Sequence, residues 1–300
     1  MPATAGDAAS STTPARLVEV PMSARLATAA LKPWRGSARA EGLVGRGYAL
    51  IALVIYSLRA QYARAALGLL WSILTPLLFM AVYLPLFLYV FKAPDAVPGG
   101  PLAFPMYVII GFLAWNAFTE AIQSGASSLV HNANVVRHSP TPSIMLPLIR
   151  VTASFVGLGV GLACLGIALF CFGFWPGWNL LFLPVAVLLS FVFTAGLVLL
   201  VAALAMYVRD VLQILSTILL IEFFAVPILY PITMIPEQFR IYIELNPLTP
   251  FLNLIRASLF PTAVPLELRD IGLAVAYALG SLALGLFVFK RLEPGFSDAA

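Results

Sequence analysis

Apolar residues fill this chain in long blocks separated by short polar breaks. Six blocks reach the length of a membrane span: about Gly68–Phe91, Phe104–Ser124, Pro147–Gly173, Leu180–Tyr207, Val211–Pro231 and Ile271–Phe289. A helix rises about 1.5 Å per residue, so roughly 20 apolar residues cross a hydrocarbon core of about 30 Å. Barrel strands would instead show alternation over about ten residues. The pattern predicts an all-α integral membrane protein of six transmembrane helices, and the even number places both termini on one side.

The breaks carry their own pattern. The run "YALIALVIY" is too short to span, but Tyr48, Ile51, Ile55, Leu58 and Tyr62 fall near helical spacing among Arg46, Arg59 and Arg64. That predicts an N-terminal amphipathic helix lying on the membrane interface over residues 43–66, its arginines near anionic headgroups. A partly inserted first span is the alternative. Residues 1–42, rich in Ala, Ser, Thr and Pro with scattered Arg, lack a secretory core and are expected to be a disordered, basic cytoplasmic tail. Residues 67–300 form the transmembrane domain. Between the fifth and sixth spans, Ile232–Asp270 is too polar and too Pro-broken to span, yet too apolar for an open loop. A re-entrant outer hairpin, with its backbone satisfied within protein, accommodates both properties. The break between spans two and three predicts a short helix from about Ser127 to Arg137.

Charge sets the orientation. With the N-terminus inside, 13 of the 17 Lys and Arg fall in inner segments, as the positive-inside rule requires. Composition agrees with the spans: 61% of the 300 residues are hydrophobic and 10% charged, and mean hydropathy is +0.99. A net charge of +4 therefore speaks of membrane topology, not of nucleic acid. Cys164 and Cys171, two turns apart on one helix face, are too distant for a disulfide.

Chemistry is sparse. No lysine follows a glycine, which excludes a P-loop. His131 and His138 lack a carboxylate cluster, so no metal site is expected, and no paired acidic motif suggests an enzyme. Ala153, Gly157 and Gly161 lay small residues along one face, where a second helix of this chain, or alternatively of a second subunit, can approach. Glu222 lies inside the fifth span, where a carboxylate must face a cavity or be hydrogen-bonded. Trp71, Trp115, Trp175 and Trp178 are expected near span ends as an interfacial belt.

The stretch "QYARAALGLLWSILTPLL", with Tyr62, Arg64, Leu67, Gly68, Trp71 and Pro76, resembles the junction of interface helix and first span in the membrane subunit of bacterial polysaccharide ABC exporters. "NPLTPFLNLIRASLF", with Asn246, Pro247 and Arg256, is similar to that family's outer segment before the last span. "FKRLEPGFSD", with Glu293, Phe296 and Asp298, is similar to its short cytoplasmic ending. The resemblance covers about residues 45–298. Gln61 departs from it, as does the roughly 40-residue N-terminal extension.

The resemblance implies a homodimer in the bacterial inner membrane, with both termini cytoplasmic. It would pair with two copies of a separate P-loop ATPase, which binds ATP and Mg, and export a lipid-linked polysaccharide such as O-antigen, capsule or teichoic-acid chains. It implies a substrate entrance at Arg59, Tyr62, Arg64 and Trp71, and a coupling surface for the ATPase at Ser127, His131, Asn134 and Arg137. Trp115 and Glu222 are channel candidates, and Tyr230, Asn246 and Arg256 are expected at the outer exit. The rival readings are a small-molecule efflux permease and an ATP-independent flippase or glycosyltransferase.

Overall fold

A computed structural model of the chain describes residues 103–138, 142–171, 173, 175–262 and 264–296, with isolated positions between 74 and 98. The interface helix and the N-terminal tail lie outside the described residues, as does the first predicted span apart from isolated positions between 74 and 86. Among the described residues the secondary structure is helical. It comprises α1 (Ala103–Ala126), α2 (Ser128–His131), α3 (Ala133–His138), α4 (Met145–Cys171), α5 (Leu183–Tyr207), α6 (Asp210–Ala225), α7 (Glu237–Glu244), α8 (Thr249–Leu259) and α9 (Leu268–Leu292). Short 3-10 turns cover Gly177–Phe182, Ile232–Met234 and Glu293–Gly295.

α1, α4, α5 with the 3-10 turn before it, and α9 with the turn after it are long and apolar enough to cross a membrane. They match predicted spans two, three, four and six. The predicted span Val211–Pro231 behaves differently. Its helix, α6, stops at Ala225, Val226 turns extended, and the chain runs irregularly to Pro231. Pro227 explains the stop, because a proline disfavours helical geometry in the residue before it. The helix predicted over Ser127–Arg137 forms as two short pieces, α2 and α3.

α5 is the hub, packing against α1, α4, α6, α8 and α9. It is apolar on every side, as a helix surrounded by other helices should be. The tight reversal from α4 into α5 uses Gly173 and Gly177, both at positive φ (81° and 64°), where a side chain would be strained.

The closest helix crossing is between α5 and α9. A Cβ added at Gly285 would strike the Gly196 backbone, and one at Gly196 would strike the backbone at Ser281 and Leu282. Ala274 and Ala278 continue the seam, both fully buried, and Ser281 Oγ donates across it to the Phe193 carbonyl at 3.0 Å. Small residues thus let two backbones touch. In the stripe of small residues expected in the third span, Ala153 and Gly161 are buried in α4, whereas Gly157 meets no neighbour within this chain. Cys164 and Cys171 are free thiols.

Trp175 and Trp178 are highly exposed at the α4–α5 reversal, as a belt requires. Trp115 corrects the expectation. It sits midway along α1, 7% exposed, packed on Phe118 and Phe223 with ring centroids 5.8 and 5.7 Å away. From there aromatic contacts continue through Phe193 to Phe251, tying α1, α5, α6 and α8 together.

Candidate functional site

Two ends of the bundle carry the polar groups. At one end, Arg137, Arg209, Lys290 and Arg291 cluster in sequence around the termini of α3, α5, α6 and α9. There α2 and α3 hang below α1. His131, Asn134 and Arg137 are exposed, while Ser127 is half-buried, its hydroxyl donating to the Gln123 carbonyl at 2.9 Å. The inward face is keyed by Leu129, fully buried in a small apolar cluster with Leu199, Met206, Phe289 and Phe296. The chain's last described turn closes that cluster: Phe296 packs edge-on to Phe289 at 5.3 Å, and the Tyr207 hydroxyl donates to the Leu292 carbonyl at 2.8 Å. A short helix with polar residues outward and one leucine locked inward can transmit a push to α5 and α9. Leu129→Ala should therefore loosen α2 by about 2 kcal/mol, read as faster amide hydrogen exchange over residues 128–138 with the spans unchanged.

At the opposite end α7 and α8 form a helical hairpin. α7 has no buried residue, whereas every residue of α8 except Asn253 is buried. Asn246 shapes the turn: its Oδ1 accepts the Leu248 amide at 2.9 Å, and its Nδ2 donates to Glu222 Oε1 at 2.6 Å. Pro250 then opens α8, where a missing amide hydrogen costs nothing. Glu222 lies twelve residues past the start of α6, about 18 Å along its axis. The hairpin turn thus lies beside the last turns of α6, not beyond its end. Tyr277, in the third turn of α9, also reaches it, donating to the Leu245 carbonyl at 2.8 Å.

Arg256 fixes α8 in place. It is fully buried, its Nε donating to the Tyr107 carbonyl at 3.1 Å and Nη2 to the Ile228 carbonyl at 3.2 Å. Its guanidinium carbon lies 3.6 Å from the centre of the Tyr107 ring. Gly111 on α1 makes the room, since a Cβ there would overlap Nη2. The Tyr107 hydroxyl in turn donates to the Pro227 carbonyl at 3.3 Å. The unwound segment after α6 is therefore stitched to α1 and α8 through its carbonyls.

The ABC-2 type transporter family model matches residues 48–260, from before the first predicted span to the end of α8. The chain belongs to the ABC-2 type transporter family. It is 30% identical over 240 residues to an O-antigen export system permease protein, RfbA, of Myxococcus xanthus, covering 78% of this chain and 90% of that protein. A Klebsiella pneumoniae protein of the same name is 27% identical, with 84% and 96% covered. The polysialic acid transport protein KpsM of Escherichia coli is 21% identical, with 81% and 92% covered.

In this transporter chain the sequence-chosen residues separate into distinct groups. Arg59, Tyr62, Arg64 and Trp71 lie outside the described residues. Ser127, His131, Asn134 and Arg137 share one small surface. Tyr230, Asn246 and Glu222 all lie around the broken end of α6, with the Tyr230 hydroxyl donating to the Phe224 carbonyl at 2.7 Å. Two residues are enclosed. Trp115, a channel candidate by sequence, is core and lines a void of about 30 Å³ with Phe118, Phe193 and Phe251. The guanidinium of Arg256, expected at the outer exit, is enclosed by α1, α8 and the unwound segment.

Of the two readings open for Glu222, the contact with Asn246 supports a hydrogen-bonded structural role. Glu222→Gln keeps an acceptor for the Asn246 amide, so stability should change by less than about 1 kcal/mol; Glu222→Leu leaves that amide unpaired and should cost about 1–3 kcal/mol in thermal unfolding.

The sequence reading missed a cavity of about 230 Å³ at the hairpin end. Its walls include Tyr107, Thr249, Asn253, Glu267, Arg269 and Asp270. Asn253 donates to Asp270 at 3.0 Å, and Arg269 is paired with Glu244. The one signal available was Asn253, the polar position in an otherwise apolar α8.

Proposed function

We propose that the chain is the membrane subunit of an ATP-driven exporter moving lipid-linked polysaccharide across the bacterial inner membrane, with both termini cytoplasmic. Two copies would pair with two copies of a separate ATPase, which holds ATP and Mg; this chain has no phosphate-cradling Gly-Lys loop of its own. The observation that carries this reading is the match to O-antigen export permeases over 90% and 96% of their lengths. The polysialic acid relative extends it to capsule-type chains.

In this scheme the ATPase grips the exposed face of α2 and α3 at His131, Asn134 and Arg137, and Leu129 passes its motion to α5 and α9. The basic helix before the first span, with Arg59, Tyr62, Arg64 and Trp71, receives the phosphate of the lipid carrier. Glu222, Asn246 and Tyr230 hold the re-entrant hairpin that shapes the outer exit.

Deletion of the gene tests the reading. Lipid-linked glycan should accumulate inside the cell and surface glycan should vanish, with a P-loop ATPase copurifying with the tagged chain. Normal surface glycan together with loss of drug or haem efflux would favour a small-molecule permease. Copurification without any ATPase would favour an unpowered flippase or glycosyltransferase. Charge reversal at Arg64 should weaken both binding of the lipid-linked substrate and the ATP hydrolysis it stimulates.

A further inference from the structure

The cavity at the hairpin end has a chemistry that polysaccharide export in general does not require. It opens between the irregular segment after α6, the hairpin and the start of α9, and its volume of about 230 Å³ far exceeds the roughly 10–15 Å³ that one water needs. It is not an extension of the apolar core. Thr249, Asn253, Glu267, Arg269 and Asp270 supply hydroxyl, amide, carboxylate and guanidinium groups, with Tyr107 and Val97 among the remaining walls.

Asn253 interrupts a helix that is otherwise wholly buried, and its amide is held by Asp270 at 3.0 Å. That pairing fixes both side chains and leaves the amide oxygen Oδ1 of Asn253 and the other carboxylate oxygen of Asp270 as acceptors. Two acceptors held side by side suit two neighbouring hydroxyls of a sugar ring. Arg269 is turned aside by its ion pair with Glu244. The walls then hold three carboxylates, Glu244, Glu267 and Asp270, against one guanidinium. This balance repels a second anion and favours hydroxyls or an ammonium group.

Resting on the proposed export of polysaccharide, we propose that this cavity is a subsite for one neutral or amino sugar of the emerging chain, and that it discriminates against acidic sugars. Of the two glycan types named among the relatives, the lining opposes the acidic units of polysialic acid. The discrimination resides in Glu267 and Asp270. Asn253 supplies the hydroxyl contact.

Saturation-transfer difference NMR on the full-length chain in lipid nanodiscs tests this with D-mannose, D-glucosamine and N-acetylneuraminic acid as probes, and with calcium chloride as a competitor. Mannose and glucosamine should bind and neuraminic acid should not. Asn253→Ala should weaken both sugars tenfold or more. Glu267→Gln changes an exposed residue that fold stability does not need; combined with Asp270→Asn, it should weaken glucosamine more than mannose. Unchanged thermal unfolding of Asn253→Ala and of the double variant guards against a folding artefact. Equal binding of neuraminic acid, sugar binding untouched by Asn253→Ala, or displacement of the sugars by millimolar calcium would each overturn the proposal. If the deletion strain traps glycan inside while no sugar binds the cavity, export stands and the subsite falls. If sugars bind but the deletion leaves surface glycan normal, the export reading falls.

Discussion

Gly285→Leu should be the most damaging single substitution in the transmembrane bundle. The position has no space for any side chain, because a Cβ there meets the carbonyl of Gly196 on the facing helix. Backbone cannot rotate aside as a side chain can, so α5 and α9 must separate. Separation breaks the Ser281 hydrogen bond to the Phe193 carbonyl and opens the buried seam at Ala274 and Ala278. Because α5 is also the support for α1, α4 and α8, the loss spreads. A cost of about 3 kcal/mol or more is expected, at or beyond the upper end for an overpacked core. Size-exclusion chromatography of detergent extracts at rising temperature should show a lowered transition and reduced yield.

Gly157→Ala supplies the contrast. Gly157 lies in a helix interior with nothing near its would-be Cβ, so alanine should be neutral or stabilising by up to about 1 kcal/mol. If both variants behaved alike, the backbone contact between α5 and α9 would not be what holds them.

The same pair of glycines shows where sequence reading succeeds and where it stops. Hydropathy places α1, α4, α5 and α9 to within about three residues at each end, because a span must be long and apolar whatever its neighbours are. Which helix touches which is a different kind of information. The spacing of Ala153, Gly157 and Gly161 is as regular as any small-residue seam, yet the contact is made by Gly196 and Gly285, separated by 89 positions. Nothing local marks that pairing.

The end of α6 was half legible: Pro227 and Pro231 announce a break, but apolar sequence continues through it and the length test counts on to Pro231. Glu222, by contrast, stands out as a carboxylate in an apolar run and Asn246 through the family resemblance, and the two satisfy one another. A carboxylate in an apolar run advertises its need for a partner, although not the partner's identity. The aromatic residues carry no such signal, which is why Trp115 could pass for belt or channel until its contacts with Phe118 and Phe223 made it core.

Arg256 is the strongest case of that ambiguity, and removing it has the second large effect expected here. In sequence it is an arginine in the segment before the last span and suits an outer exit. In the fold it is fully buried and, among the described residues, has no carboxylate partner and leaves Nη1 without a hydrogen bond. Burying such a charge is costly, so its retention points to what its other two nitrogens do. Nε and Nη2 hold the carbonyls of Tyr107 and Ile228, and the second belongs to the unwound chain after α6, where no helical amide can reach it.

Arg256→Ala removes the donors and leaves a cavity beside Gly111. The orphaned Ile228 carbonyl costs about 1–3 kcal/mol, and the cavity brings the total to about 3–5 kcal/mol. Arg256→Met refills much of the volume and relieves the buried charge, so its stability should fall between those of alanine and wild type. Both variants should lose protection against hydrogen exchange at residues 226–230, because neither can hold the Ile228 carbonyl, and both should export poorly even where folded protein is matched. Arg256→Lys, with one compact ammonium, reaches one carbonyl but not both and should recover part of the protection. A methionine variant as stable as wild type, with residues 226–230 still protected, would show that the arginine is only tolerated there and that the segment is held by packing alone.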